Sequence, residues 1–122
     1  MPIQSHRIAK GIYHHQYTGN LTSDEFLQGA SMEKRWAEDD SVEKVVIIMD
    51  CSQLKTFPMN LGKLIKGFNG NELATLVYRA APIAERFGEI IAKITSEPIE
   101  FYDNWDEIVA RAHQVLDDAK VE

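Results

Sequence analysis

The sequence predicts an α/β domain with a single, mostly parallel sheet, and two observations carry this prediction. Residues 45–49 form an uninterrupted apolar run rich in β-branched side chains, which is typical of a strand covered on both faces. Around this run, strand-like and helix-like segments follow one another in the order β-β-α-β-α-β-α-β-α. Such alternation gives a parallel sheet, and the two initial strands add an antiparallel hairpin. We expect residues 1–122 to form one domain.

Composition and charge limit the classes of function. The formal net charge is −6, which argues against nucleic acid or an anionic membrane surface as a partner. No apolar run is long enough to insert into a membrane, and residues 1–10 carry no signal-peptide pattern. The single cysteine excludes an internal disulfide and fits a reducing compartment. We therefore expect a cytoplasmic protein.

The first strands and the first helix have readable boundaries. Gly11 predicts the turn of a hairpin within residues 3–19, because glycine tolerates positive φ. The second hairpin strand has apolar and polar residues on both faces, which favours an edge or partly exposed position. Thr22 and Glu25 have the spacing of a capping box, so the first helix begins there and should end near Asp40.

The middle of the chain predicts the central strand and a short helix. We expect the strand over residues 44–49 and a connection over residues 50–60. Asn60 can cap a helix from Leu61 to about Phe68.

The last third predicts two more strands, over residues 72–78 and 98–102, and two more helices. Pro82 suits the first turn of the third helix, and Asn104 can cap a fourth helix that ends near Lys120. The third helix has the clearest apolar periodicity of the chain, which predicts an inward stripe. Its members are Ile83, Phe87, Ile90, Ile91 and Ile94.

Several short segments together resemble the STAS superfamily, and within it the small bacterial branch that is similar to the anti-sigma-factor antagonists (SpoIIAA-like). Residues 19–22 resemble the Gly-x-Leu-Thr transition into the first helix, and residues 45–54 resemble the core strand with its loop. Residues 99–107 resemble the closing strand and its entry into the last helix. This resemblance implies a regulatory domain that binds another protein. Lipid-transfer domains of the CRAL-TRIO type share a related topology.

The chain departs from this family at one functional position. The antagonists carry an Asp-Ser-Ser segment at the start of the helix after the core strand, and its serine is phosphorylated. The matching positions are Pro58, Met59 and Asn60, so the resemblance does not carry a phosphorylated serine to this chain. Ser52 and Thr56 lie nearby in sequence but do not match the motif.

No catalytic or metal-binding pattern is evident. His14 and His15 are adjacent and point to opposite faces of a strand, so they cannot easily share a metal ion. No phosphate-binding glycine loop occurs, and no serine–histidine–aspartate set can be assigned. An enzymatic reading would use Cys51, or the carboxylates near Asp103, which more simply complement a helix dipole. We expect no cofactor, no metal and no catalytic activity.

The leading hypothesis is a protein-interaction domain with an unidentified protein partner. Its contact surface is expected between Asp50 and Ile65, with Arg79 at the neighbouring strand end, because residues 56–68 are more apolar than one buried helix face requires. The open edge of the first hairpin also allows a homodimer. The predicted partner-binding residues are Asp50, Ser52, Phe57, Met59, Asn60, Lys63 and Arg79.

The alternative hypothesis is a binding module for a small apolar or lipid-like ligand held between the helices and the sheet. It predicts one continuous cavity. The residues expected to line it are Phe57, Leu61, Ile65, Phe68, Ile83 and Phe87.

Overall fold

The computed structural model describes residues 3–121. These residues form strands and helices in the predicted order. The strands are β1 (Ile3–Ala9), β2 (Ile12–Asn20), β3 (Val45–Thr56), β4 (Glu72–Tyr78) and β5 (Ile99–Tyr102). The helices are α1 (Ser23–Asp40), α2 (Leu61–Lys66), α3 (Pro82–Thr95) and α4 (Trp105–Val121). None of these helices is long and apolar enough to cross a membrane.

The five strands form one sheet in the order β1-β2-β3-β4-β5. The β1–β2 pair is antiparallel, and every other pair is parallel. The prediction of a mostly parallel sheet with an initial hairpin is therefore confirmed, and β3 lies at its centre as expected.

Helices cover both faces of the sheet. Val45, Ile47 and Met49 of β3 belong to a core that also contains residues of α1, α2 and α3. Val46 and Ile48, which alternate with them, pack in a second core with residues of α4. The continuous apolar run of β3 follows from this arrangement, because both of its faces are buried.

The central strand is longer than predicted. β3 continues through Thr56 by pairing with β2, whereas β4 accompanies it only as far as Tyr78, opposite Asp50. The expected connection over residues 50–60 is thus strand in its first part. The extension is irregular, because the β2–β3 register shifts between Gln16 and Thr18. This irregularity broke the alternation that would have identified a strand in the sequence.

The expectation that β2 is an edge or partly exposed strand is wrong. β2 lies between β1 and β3, and its residues Tyr13, His15 and Tyr17 are buried. The polar atoms on this face are satisfied inside the protein: the Tyr13 hydroxyl donates to Asp40 Oδ2 at 2.8 Å, and His15 bonds to neighbouring side chains. A mixed face is compatible with burial when each polar group has a partner.

The predicted helix caps are confirmed. Thr22 and Glu25 form a reciprocal capping box at the start of α1. Asn60 Oδ1 accepts from the Lys63 N–H at 3.1 Å at the start of α2, and Asn104 Oδ1 accepts from the Glu107 N–H at 3.1 Å. Each of these side chains satisfies an N–H group that lacks a partner within its own helix.

We expect Gly67→Ala to destabilise the protein by about 1–3 kcal/mol, because α2 ends against an aromatic ring. A Cβ atom on Gly67 would lie 2.2 Å from Phe26 Cε2. Urea unfolding measures the loss, and Gly62→Ala in the same helix is the matched control. Gly62 has no close neighbour except Asn60 Oδ1 at 3.6 Å, so its replacement should cause no loss. Equal effects of the two substitutions would contradict the close contact.

Candidate functional site

The apolar residues of α3 form two adjacent stripes rather than one. Ala84 and Ile91 are buried, and Ala84, Gly88 and Ile91 face an internal cavity against the sheet. Ile83, Ile90 and Ile94 are 65%, 47% and 58% exposed. The prediction of a single inward stripe is therefore wrong for these three residues. The Phe101 ring of β5 lies close to the inward face of α3, and a Cβ atom on Gly88 would be 2.8 Å from this ring. The helix therefore has small side chains on its inward face.

The outward residues define a surface that we call the α3 stripe: Ile83, Phe87, Ile90 and Ile94. Phe87 is half-buried and packs against the main core, so it anchors the stripe to the domain. Three exposed isoleucines along one face of a helix are unusual for a surface that stays in water.

An open groove adjoins the start of the α3 stripe. It lies between the end of β3 and the first turn of α3, with a volume of about 240 Å³. Phe57, Met59 and Ile83 are among its apolar wall residues, and Met59 is 50% exposed. Lys55 also lies in its wall. Ile83 belongs to both the groove and the stripe, so the two form one continuous apolar surface.

Four of the seven predicted partner-binding residues lie in the groove or at the start of α2. Phe57 and Met59 lie in the groove. Asn60 and Lys63 lie at the exposed start of α2, where Lys63 Nζ is 3.3 Å from Asp24 Oδ1. These four residues are therefore placed at or beside the apolar surface.

Asp50 and Ser52 are engaged with each other at the bulge of β3. Asp50 is buried, and its Oδ1 accepts from the Ser52 N–H at 2.9 Å and from the Ser52 hydroxyl at 2.6 Å. The Asp50 carboxylate thus provides a hydrogen-bond acceptor for a backbone N–H group at the point where the strand changes register. These contacts give both residues a role in the fold.

Arg79 stands at the end of β4 in a left-handed conformation, with φ of 52°. Its N–H donates to the Tyr102 carbonyl oxygen at 2.9 Å, and its guanidinium carbon lies 5.1 Å from the centre of the Tyr78 ring. Arg79 is exposed, so its charge is available at the same end of the sheet.

The six residues predicted to line a ligand cavity do not surround one space. Phe57 and Phe68 border an internal apolar cavity between the sheet and the helices, whose volume is about 40 Å³. Ile83 points outward, and Leu61, Ile65 and Phe87 pack at the margin of the core. Pockets for drug-sized ligands have volumes of about 300–1,000 Å³. The internal cavity is therefore too small for a lipid-like ligand.

Cys51 is a buried thiol and lacks the setting of a nucleophile. Burial, with the neighbouring Asp50 charge as a second cause, raises the pKa of Cys51 to about 12. Only the thiolate is nucleophilic, so at neutral pH this side chain is held in its unreactive form.

We expect native Cys51 to resist alkylation by iodoacetamide at pH 8, because both burial and the raised pKa suppress the thiolate. The unfolded chain in urea should react at the rate of an ordinary cysteine. Mass spectrometry of the two samples measures the difference. Fast labelling of the native protein would contradict the environment described for this thiol.

A buried polar chain that the sequence did not reveal connects β1, β2 and α1. The Ser5 hydroxyl is 2.7 Å from His15 Nδ1, and His15 Nε2 is 2.6 Å from Glu33 Oε2. His15 is fully buried and Glu33 is 7% exposed. Burial raises the pKa of Glu33, and the bond to His15 opposes that rise. The alternation of β2 places His15 on the same face as Tyr13 and Tyr17, but nothing in the sequence pairs it with Glu33.

Ser5, His15 and Glu33 are the residue types of a nucleophilic triad. Neither the groove nor the internal cavity borders on Ser5 or His15. With an ionised Glu33 as acceptor, His15 Nε2 carries the proton and Nδ1 accepts from Ser5. The arrangement is therefore suited to joining three elements of the core.

The described residues bring no set of metal ligands together. Within residues 3–121, no group of three or more histidine, cysteine, aspartate and glutamate side chains is placed to hold a metal ion. His6 and His14 meet across the hairpin, as their register allows, with ring centres 5.7 Å apart.

Comparison with known proteins identifies the fold. No sequence-family profile matches the chain, and no curated protein sequence matches it. A solved structure of an uncharacterised DUF3478-family protein from Shewanella loihica PV-4, described as having a SpoIIAA-like fold, superposes with a TM-score of 0.63 at 13% identity. The match covers 90% of this chain and 91% of that one. The chain has the SpoIIAA-like fold.

Two structures of SpoIIAA itself support this assignment. The anti-sigma factor antagonist SpoIIAA in its unphosphorylated form has a TM-score of 0.62 at 12% identity, over 91% of this chain and 97% of that one. The Bacillus cell fate determinant SpoIIAA in its phosphorylated form has a TM-score of 0.61 at 11% identity, over 89% and 97%. The expected SpoIIAA-like architecture is thus confirmed. At these identities the likeness concerns the fold alone.

Proposed function

We propose that this SpoIIAA-like domain is a non-catalytic, cytoplasmic regulatory module that acts by binding another protein through the α3 stripe and the adjoining groove. The observation that carries the proposal is the exposure of three isoleucines along one face of α3, at 47–65%. Surfaces of this kind mark interaction sites in soluble proteins. The description of SpoIIAA as an anti-sigma factor antagonist supports a regulatory role by analogy of fold.

The proposed contact surface differs from the one that the sequence predicted. Its centre moves from residues 50–65 to α3, with Met59 and Phe57 at the shared border. Asn60 occupies a position that matches the serine motif of the antagonists and caps α2. Binding is therefore proposed to depend on apolar contact rather than on a phosphorylated residue at this position.

A site-specific photo-crosslinking experiment tests the proposal. The chain with benzoylphenylalanine in place of Ile90 is irradiated in lysate of its native cells, and the same label at the exposed Asp118 of α4 serves as the control. We expect an adduct with one defined polypeptide from position 90 and none from position 118. We also expect the purified partner to bind the wild type and to lose binding to Ile94→Asp. Equal labelling from both positions, or none, would refute the proposal.

A further inference from the structure

We propose that the segment which docks on the α3 stripe is an amphipathic helix with acidic residues along one flank, and not a second copy of this chain. This inference rests on the proposed function and specifies the partner's chemistry. It follows from the spacing of the stripe, from the charges beside it and from what two copies would bring together.

The spacing of the α3 stripe matches a helical partner. Its residues are separated by four, three and four positions, which is the alternation of the contact residues in paired helices. At 1.5 Å per residue, the stripe from Ile83 to Ile94 extends for about 17 Å. A partner helix of three turns would cover this length with apolar residues at the same spacing.

The groove provides a binding site for a side chain at one end of the docked helix. It lies beside Ile83 and has room for a large apolar side chain, with Phe57 and Met59 in its walls. A leucine or phenylalanine at one end of the partner helix would fill it. Methionine adapts its shape to such a side chain, so Met59 is suited to this contact.

The charges nearest the α3 stripe are positive. Arg86 and Lys93 are exposed and lie along its solvent-facing flank. Neither forms an ion pair with any side chain among residues 3–121. Glu89 is also exposed, but at 3.6 residues per turn it lies about 60° further round the helix than Arg86.

A further positive charge lies at the groove. Lys55 is exposed in the groove wall. The charged side chains nearest the α3 stripe and the groove are therefore positive, although the whole chain carries a net charge of −6. Acidic residues on the partner would match these charges.

A second copy of the chain fits this surface poorly. If the twofold axis lies perpendicular to α3, the two helices run antiparallel with each stripe on its counterpart. Their solvent-facing flanks would then meet, which places Arg86 of one copy near Lys93 of the other. Like charges in such contact are unfavourable, so the stripe is better suited to an acidic helix than to itself.

Two synthetic helical peptides test the inference. Both carry leucine at the stripe spacing, and they differ only in having glutamate or lysine at the flanking positions. We expect the glutamate peptide to bind about tenfold more tightly, since two new ion pairs of moderate strength amount to this factor. Binding is measured by titration of the ¹⁵N-labelled protein, with the largest shift changes expected at residues of the α3 stripe.

A charge reversal on the protein sharpens the test. The double variant Arg86→Glu/Lys93→Glu should prefer the lysine peptide, whereas the matched double variant Lys34→Glu/Arg35→Glu on α1 should keep the wild-type preference. If Arg86→Glu/Lys93→Glu still prefers the glutamate peptide, the inference is overturned. A dimer in analytical ultracentrifugation that Ile90→Asp abolishes would also overturn it. If both peptides fail while crosslinking at position 90 yields a defined partner, the acidic helix is refuted and the proposed function stands.

Discussion

Replacement of His15 by leucine should lower the free energy of unfolding by about 3–5 kcal/mol. The substitution nearly preserves side-chain volume, so a cavity contributes little. Its main effect is to leave the buried Glu33 carboxylate without the partner that lies 2.6 Å away. A carboxylate that is 7% exposed cannot recover this interaction from water. Urea unfolding followed by circular dichroism gives the measurement.

A double-mutant cycle separates the broken pair from a simple loss of packing. When both members of a buried hydrogen-bonded pair are replaced by apolar residues of similar volume, the change is often close to neutral. We therefore expect His15→Leu/Glu33→Leu to be clearly more stable than His15→Leu alone. Glu38→Leu, at an exposed position of the same helix, should change stability by about 0.5 kcal/mol or less. Additive losses in the double variant would contradict the coupling of His15 with Glu33.

The sequence was sufficient for the order of elements and for the boundaries set by local signals. The capping box at Thr22, the asparagine caps at residues 60 and 104, and the turn at Gly11 (φ of 84°) depend on residues within a few positions of one another. The continuous apolar run of β3 likewise predicts by itself that both faces of this strand are buried. Such signals can be read without knowing what packs against them.

The inner face of α3 could not be predicted in the same way. Helical periodicity identifies the apolar residues of α3, but these residues form two adjacent stripes with the same spacing. The periodicity therefore does not show which stripe is buried. The sheet selects the stripe with the smaller side chains, Ala84 and Gly88 with Ile91, because Phe101 of β5 occupies the space beside them. That contact joins residues of different elements, and only the fold reveals it. The sequence therefore predicts an inward position for Ile83, Ile90 and Ile94, which the structure shows to be exposed.

The buried polar pairs escaped prediction for a related reason. His15 and Glu33 are 18 positions apart, and Tyr13 and Asp40 are 27 apart. Each residue alone suggests an exposed position, and burial becomes acceptable only when its partner is present. When the polar residues of β2 are considered singly, they favour an edge or partly exposed strand, and the sequence does not show their partners.

The proposed docking role of the α3 stripe would account for isoleucines that the packing of this helix does not require. Three of its four isoleucines lie outside the core at about half exposure or more. If they contributed mainly to folding, polar replacements would be costly. If they serve recognition, polar replacements should preserve the fold and remove partner binding.

The most direct test of this account compares aspartate at two neighbouring positions of α3. Ile91 is 4% exposed, whereas Ile90 is 47% exposed. We expect Ile91→Asp to lower stability by more than about 4 kcal/mol, because it removes a buried side chain and buries a carboxylate among apolar groups.

Ile90→Asp should stay within about 1 kcal/mol of the wild type, since its side chain remains in water. Urea unfolding of the two variants, made in parallel, measures both values. A folded Ile90→Asp protein beside a strongly destabilised Ile91→Asp protein is the predicted result. Equal destabilisation of both would show that the outer isoleucines belong to the core, and the proposed docking surface would then be refuted.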